Sequence, residues 1–442
     1  MNEKISLISL GCAKNLINSE QMLALLTEAG YEFTDDCYDA DVGIVNTCGF
    51  IDSAKMEAIE NILKLADAKE NGSLRKIIVT GCLAQRYQDE LMREMPEVDA
   101  VLGVGNYEDI VYAVRRVLGN DEKFSLYGSI DIPVEETGRI VSTGPGWAYI
   151  KIAEGCDNRC AYCIIPYLRG RFRSRPMEKI IEEARELASI GVKELIVVAQ
   201  DITRYGTDNY GKRSLSALLR ELVKIDGIEW IRLHYLYPDE FDDELIETIA
   251  NEDKILKYLD IPIQHINTPI LKRMNRRGTG DEIRVLFKKL REKMPNLVLR
   301  TSLIAGLPGE GDAEFEELCE FLREAKIERA GVFPYSPEEG TPAAKMDRPD
   351  TETAQRRADM ILNLQAEIMD KFNENRLGDI ETVLCEGYDE EIECFWGRSF
   401  AESPDIDGRI LFSASGAAAG QFIKVRILED IDGDLFGEAI ED

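Results

Sequence analysis

The sequence predicts an α/β protein in three parts: a parallel α/β domain over 1–118, a partial β/α barrel over 142–374 and a small all-β domain over 375–442. Three observations predict it. Apolar, strand-like runs alternate with helical patterns up to about residue 376, the order of a parallel sheet with crossover helices. The alternation breaks at 119–146, which lacks helical period and carries Gly, Pro and acidic residues. Beyond 375 the runs become short alternating strands with turn residues (CFWGRSF, DIDGRILFS, QFIKVRILEDIDGD), as in a small barrel or sandwich.

At 442 residues the chain is too long for one ordinary domain. A 44% hydrophobic and 31% charged composition is that of a soluble globular protein. The formal net charge is −30, from 83 acidic against 53 basic residues. Such a charge repels phosphate backbones overall and attracts basic partners. Ten cysteines in a chain this long do not make a small disulfide scaffold. Met1-Asn2-Glu3-Lys4 leads into Ile5-Ser6-Leu7-Ile8 without the apolar run and cleavage site of a secretory signal, and no apolar stretch is long enough to span a bilayer. A cytoplasmic protein with reduced thiols is expected.

The first domain repeats one pattern three times. ISLISLGC ends at Cys12 and passes into a helical pattern from Asn18 to Gly30. DVGIVNTC ends at Cys48, before Asp52 to Ala68; RKIIVTGC ends at Cys82, before Tyr87 to Met95. In a parallel sheet ligands collect beyond the carboxyl ends of the strands, where all three cysteines fall. Each could be an ordinary buried thiol. Together they could hold a cluster through three thiolates with one iron left open.

A linker is expected over 119–141. After it the barrel strands are AYIKIAEG (148–155), ELIVVAQ (194–200), WIRLHYLYP (230–238), YLDIPIQH (258–265), LVLRTSLIAG (297–306) and RAGVFPYS (329–336). Helical patterns separate them; in 178–190, Ile180, Ile181, Ala184, Leu187 and Ala188 form one apolar stripe. Six such units suit a partial barrel, whose chemistry sits at the carboxyl ends of its strands. A long helical pattern over about 351–376 closes the region.

Directly after the first of these strands comes Glu154-Gly155-Cys156-Asp157-Asn158-Arg159-Cys160-Ala161-Tyr162-Cys163. Its Cys-x3-Cys-x2-Cys spacing holds three irons of a 4Fe-4S cluster and leaves the fourth open to a small molecule. A zinc site lacking its fourth ligand, or buried free thiols, are the plainer alternatives. Structural zinc is poorly supplied, since His234 and His265 are the only histidines. Cys37, Cys319, Cys385 and Cys394 share no spacing with either triplet and are expected as core or surface thiols.

Four guanidiniums follow the triplet at once, on Arg169, Arg171, Arg173 and Arg175; they could pair with carboxylates or form a solvated loop. A second basic run, Lys272, Arg273, Arg276 and Arg277, is expected as a solvated face or partner contact. Gly306-Leu307-Pro308-Gly309-Glu310, Gln200-Asp201 and Gln264-His265 occupy strand ends where polar groups could face the barrel mouth.

With an aromatic, Tyr162, before its last cysteine, the triplet resembles the signature of the radical S-adenosylmethionine enzymes. Over essentially the whole chain, the three domains with Cys12, Cys48 and Cys82 followed by Cys156, Cys160 and Cys163 resemble the methylthiotransferases. The resemblance implies two 4Fe-4S clusters as cofactors, one on each triplet, with S-adenosyl-L-methionine on the open iron of the second. It implies a radical-SAM barrel, a C-terminal TRAM domain, and cofactor contacts from Tyr162, Gln200, Asp201 and Gly306. No catalytic side chain beyond the cluster ligands is expected.

The family has two branches: MiaB-like enzymes act on a tRNA adenosine, and RimO-like enzymes on an aspartate of small-subunit ribosomal protein twelve. Gln200-Asp201-Ile202-Thr203-Arg204-Tyr205-Gly206 and RSFAESPDIDG (398–408) resemble the second branch. The last domain holds five Lys and Arg against seventeen Asp and Glu. A module that grips RNA neutralises phosphates with cations, so this composition favours a basic protein over tRNA. The implied reaction takes a hydrogen from the aspartate β-carbon with a 5′-deoxyadenosyl radical and adds a methylthio group there. The implied partners are that ribosomal protein, free or within its subunit, and an electron donor, with no membrane. An iron–sulfur electron carrier and a non-catalytic ribosome-binding factor are the readings from other classes.

Overall fold

The computed structural model describes residues 3–120, 122–134 and 137–440. They divide into two units. The first takes the described residues up to Ser142, then Ala153–Arg175 and Glu338–Thr341; the second takes Thr143–Ile152, Pro176–Pro337 and the described residues from Pro342 onward.

In the first unit the strands β1 (Lys4–Ser9), β2 (Glu32–Phe33), β3 (Val42–Thr47), β4 (Lys76–Gly81), β5 (Ala100–Leu102) and β6 (Phe124–Leu126) form one parallel sheet in the order β2-β1-β3-β4-β5-β6. β3 is buried along its whole length, as a strand covered on both faces must be. The cover comes from helices α1 (Ala13–Glu28), α2 (Asp52–Asn71), α3 (Cys82–Tyr87), α4 (Asp89–Glu94) and α5 (Ile110–Gly119). Ala58, Ile62 and Leu65 of α2 pack with Val45, Ile77 and Val79. Met22 and Leu26 of α1, with Ile110 and Val114 of α5, pack with Ile5, Val42 and Ile44. Ser9 pairs with Asn46, and Thr47 with Gly81, so the three cysteine-bearing strands end level.

Two helices begin earlier than the apolar pattern predicts. α1 starts beside Cys12 because its first turns bury polar side chains, Lys14, Asn15 and Asn18, which hydropathy does not read as helix core. α3 starts on Cys82 itself, and a left-handed residue, Gln88 (φ 45°), separates it from α4. Within the expected linker, β6 is the edge strand of the sheet; residues 121, 135 and 136 of that stretch lie outside the described residues.

The chain then enters the second unit for β7 (Trp147–Lys151) and returns to the first as the antiparallel pair β8 (Ala153–Glu154) and β9 (Arg173–Ser174), between which stands α6 (Ile165–Arg169). From α7 (Met177–Ser189) onward it stays in the second unit apart from Glu338–Thr341. There β7, β10 (Glu194–Val198), β11 (Trp230–Leu233), β12 (Ile255–Asp260), β13 (Val298–Ala305) and β14 (Arg329–Pro334) make a parallel sheet in the order β14-β13-β12-β11-β10-β7. This is the open, partial barrel that the six apolar runs predict. Its connecting helices are α8 (Leu215–Leu222), α9 (Asp243–Asn251), α10 (Thr268–Arg273), α11 (Gly280–Lys293) and α12 (Asp312–Ala325). A capping box of Thr279 and Glu282 starts α11. The long helix α13 (Thr351–Glu374) starts on Asp350, which accepts from the Thr353 amide.

Five strands, β15 (Ile380–Asp389), β16 (Cys394–Arg398), β17 (Ile410–Ser413), β18 (Phe422–Ile431) and β19 (Asp434–Ala439), close into a small barrel. Its core holds Val383, Ile410, Phe412, Val425, Ile427, Leu435 and the thiol of Cys385. The segment 398–408 buries this barrel against the sheet of the same unit. Arg232 donates to the carbonyls of Phe400 and Ser399, Ser403 meets His234 at 2.9 Å, and Tyr258 donates to Asp407.

Cys37 and Cys319 are buried and Cys394 half-buried, and none of the four cysteines outside the triplets is in a disulfide. The second basic run is not a solvated face throughout. Arg276 is buried over the Tyr237 ring, and Arg277 pairs with Asp239 and Glu240. No helix among the described residues is long and apolar enough to cross a membrane.

Candidate metal centre

Level strand ends bring Cys12, Cys48 and Cys82 to one edge of the first sheet. A Cβ added to Gly11 (φ +90°) would stand 2.7 Å from the Cys48 Cβ and 3.1 Å from its Sγ. Only glycine lets the backbone leaving β1 run that close to the second thiol. The three thiols feel one another. Burial pushes Cys48 up to about 11; the Phe50 amide opposes this, and the neighbouring Cys82 and Cys12 thiols add to it. Burial also raises Cys82, against the pull of Arg169. For Cys12 burial is outweighed by Lys14, Arg169 and the Asn15 and Lys14 amides, so this thiol lies below its ordinary value.

Two buried amides hold that edge together. Asn15 donates to the carbonyls of Leu10 (2.6 Å) and Asn46 (3.2 Å), and Asn46 donates to the Asn15 carbonyl at 2.9 Å and the Ser19 hydroxyl at 2.8 Å. Neither was singled out in the sequence. The available signal was polar Asn46-Thr47 closing an otherwise apolar strand, where an unpartnered side chain would be costly.

Cys156, Cys160 and Cys163 belong to the same unit as the first triplet. The β8–β9 pair closes their loop, and the Cys156 amide donates to the Gly170 carbonyl at 3.1 Å. The loop turns at Arg159 (φ 50°), and the Cys163 amide donates to the Cys160 carbonyl. Cys160 is buried; Cys156, Tyr162 and Cys163 are half-buried. Ile164 and Leu168, just beyond, pack with Cys82, Val104 and Phe50. The segment bearing the second triplet is thus tied to the third strand end of the first.

Of the four arginines after the triplet, Arg169 is 1% exposed. Its guanidinium donates to Glu154 Oε2 at 3.0 Å and Asn15 Oδ1 at 3.1 Å. Burial opposes its charge, but Cys82, Glu154 and Cys12 outweigh that and raise it well above its ordinary value. Arg171 is exposed beside Asp157, and Arg173 pairs with Asp131.

Among the described residues no three His, Cys, Asp or Glu side chains converge on a single metal ion, whose ligands would stand about 2.0–2.3 Å from one point. Three thiols, a buried cation beside them and a glycine-only approach fit an iron–sulfur group of thiolate ligation.

The remaining predicted residues lie in the second unit, at the carboxyl ends of its strands. Gln200 is half-buried just beyond β10. Asp201 is buried and accepts from both the amide and the hydroxyl of Thr203, capping the turn Ile202–Arg204. Gly306 follows β13, and a Cβ there would stand 2.4 Å from that of Ala354. Its amide donates to Glu310 Oε1 at 2.9 Å, and Arg357 binds the same carboxylate at 2.9 Å. The Gly-Leu-Pro-Gly-Glu turn is therefore fixed by its own glutamate, a role the glycines alone did not announce. His265 is buried with Nε2 3.3 Å from Glu310 Oε2.

Three family models match the chain. One described as uncharacterized protein family UPF0004 covers residues 4–103, the radical SAM superfamily covers 150–322, and a TRAM domain covers 377–440. The chain is 49% identical over 452 residues to the ribosomal protein uS12 methylthiotransferase RimO of Acetivibrio thermocellus, covering 100% of this chain and 99% of that protein. It is also 49% identical to the RimO of Geobacter sulfurreducens, with 99% of each covered. Among solved structures it resembles the radical S-adenosylmethionine methyltransferase TsrM of Kitasatospora setae with cobalamin and a [4Fe-4S] cluster bound. The TM-score is 0.55 at 16% identity, over 78% of this chain and 77% of that one, a likeness of fold.

Proposed function

The chain belongs to the family of ribosomal protein uS12 methylthiotransferases, and we propose that it works with two iron–sulfur clusters, one on Cys12, Cys48 and Cys82 and one on Cys156, Cys160 and Cys163. It is a radical S-adenosylmethionine sulfur transferase whose substrate is ribosomal protein uS12. The acceptor within that protein is the β-carbon of an aspartate. The observation that supports two clusters is the gathering of Cys12, Cys48 and Cys82, with their buried guanidinium, at one sheet edge.

When bound, these groups supply one-electron cleavage of S-adenosyl-L-methionine and a sulfur to be transferred. The chain supplies position. Glu154 and the β8–β9 pair fix the mouth of the second cysteine loop, and Asn15 and Asn46 hold the first. In the second unit Asp201 and Gly306 hold the turns at the carboxyl ends of β10 and β13. The clusters call for an electron donor and a reducing cytoplasm.

The last barrel supports a protein substrate over tRNA. Of its five basic residues Arg376 and Arg398 are buried in ion pairs, and Arg409 pairs with Asp434. Lys424 and Arg426 are left as its exposed cations among the described residues. Phosphate gripping needs several. The test is anaerobic incubation of reconstituted protein with S-adenosyl-L-methionine, reductant and either uS12 or tRNA, read by mass spectrometry. A methylthio group on the uS12 aspartate is expected; modification of tRNA alone would move the chain to the other branch.

A further inference from the structure

We propose that Arg169 is a positioning residue for the N-terminal cluster, the buried charge partner of Cys12, Cys48 and Cys82 that sets how readily that cluster takes an electron. This rests on the assignment of a second cluster to those thiols.

Three features of the arrangement carry it. The guanidinium is enclosed yet not spent on one partner: it bonds Glu154 and Asn15 together. Each neighbour is itself anchored, Asn15 by the carbonyls of Leu10 and Asn46, and Glu154 by the pairing of β8 with β9. The fork is therefore held in place by two groups that cannot easily move. It also lies beside the thiol edge: Leu168, its neighbour in the chain, packs with Cys82, and Asn15, which it bonds, donates its own amide to the Cys12 carbonyl at 2.8 Å.

Stability alone does not call for this residue. A buried arginine–glutamate pair roughly breaks even with apolar side chains of similar volume, because both charges must leave water. Three thiolates brought to the same spot change the balance, since a fixed cation then offsets negative charge. Net charge and hydrogen bonds to the sulfurs are among the terms that set a cluster's potential. Reduction adds one more negative charge, so a fixed cation favours the reduced form. Glu154 also precedes the Gly155-Cys156 loop directly, so the same guanidinium ties the two cysteine segments of the first unit. The plainer alternative is that Arg169 only staples α6 to β8. The two differ in whether charge, rather than shape, matters.

The test uses the full chain carrying Cys156→Ala, Cys160→Ala and Cys163→Ala, reconstituted anaerobically so that only the N-terminal cluster remains. Iron content and an EPR-monitored redox titration are measured for this parent and for added Arg169→Gln or Arg169→Lys. The Gln variant is expected to shift to a more negative potential by at least tenfold in the reduction equilibrium, about 59 mV for one electron, with the Lys variant closer to the parent. A Gln potential equal to the parent's overturns the proposal, as does a Lys shift as large as that of Gln. If Gln fails to load iron and Lys loads, the need for charge is upheld. If neither loads while both keep the parent's circular dichroism, the role is one of shape and the proposal falls. A parent without iron overturns the cluster assignment first, and the proposal with it.

Discussion

Glu194 Oε2 lies 2.7 Å from Arg398 Nη2, and both side chains are buried between the strands of the second unit and the small C-terminal barrel. The other oxygen of Glu194 takes Arg232 at 2.7 Å, and Arg398 also reaches Glu386 at 2.6 Å. Burial raises the Glu194 carboxyl, but Arg398 and Arg232 outweigh it and hold the group below its ordinary value. Arg398 opens the 398–408 segment, so the stretch that resembles the ribosomal-protein branch is an internal seam.

Removing one member of such a network strands its partner. Arg398→Ala should destabilise the second unit by about 3–5 kcal/mol, seen as a lower urea midpoint. Glu194→Gln added to it should recover part of the loss. A single variant as stable as the parent would show the seam to be dispensable.

Glu402 gives the seam a pH dependence. Burial pushes its carboxyl up, but Arg376 and Arg329 dominate and hold it at about 2, against an ordinary 4.5. The folded value is the depressed one. Its stabilisation is therefore complete above about pH 4.5 and lost as pH falls from there towards 2, on the order of 3 kcal/mol in full. Urea midpoints of Glu402→Gln should fall less steeply than the parent's over pH 5 to 3.5.

Gly11→Ala puts a methyl group where the Cys48 side chain stands, in a left-handed backbone. It should cost the N-terminal cluster and leave the other, so that iron falls from about eight to about four per chain. Full loading of the variant would contradict the close approach of Gly11 and Cys48.

Cys160→Ala should abolish 5′-deoxyadenosine formation, because the loop then holds the reactive cluster with two thiolates. Product at the parent's rate would refute the ligand set.

Cys48→Ala should release 5′-deoxyadenosine above the Cys160→Ala background while yielding no methylthiolated uS12. Unchanged methylthiolation would displace the second cluster from this edge.

Much of this was legible in the chain. The three repeats ending at Cys12, Cys48 and Cys82, the loop at 156–163 and the change of pattern after 375 are local signals. Strand runs, helix periods and cysteine spacings are written in neighbouring residues, so sequence alone determined the fold class and the family, and it singled out the two thiol triplets as candidates. What it left open depended on pairs far apart in the chain. Nothing in the run Arg169–Arg175 marks Arg169 as buried and its neighbour Arg171 as exposed; that follows from Asn15 and Glu154 closing around one guanidinium. Glu310 looked like the end of a glycine turn until Arg357, from α13, met it. The tertiary structure decided these roles because the burial of a charge is set by whatever packs over it, and hydropathy along the chain does not carry that information.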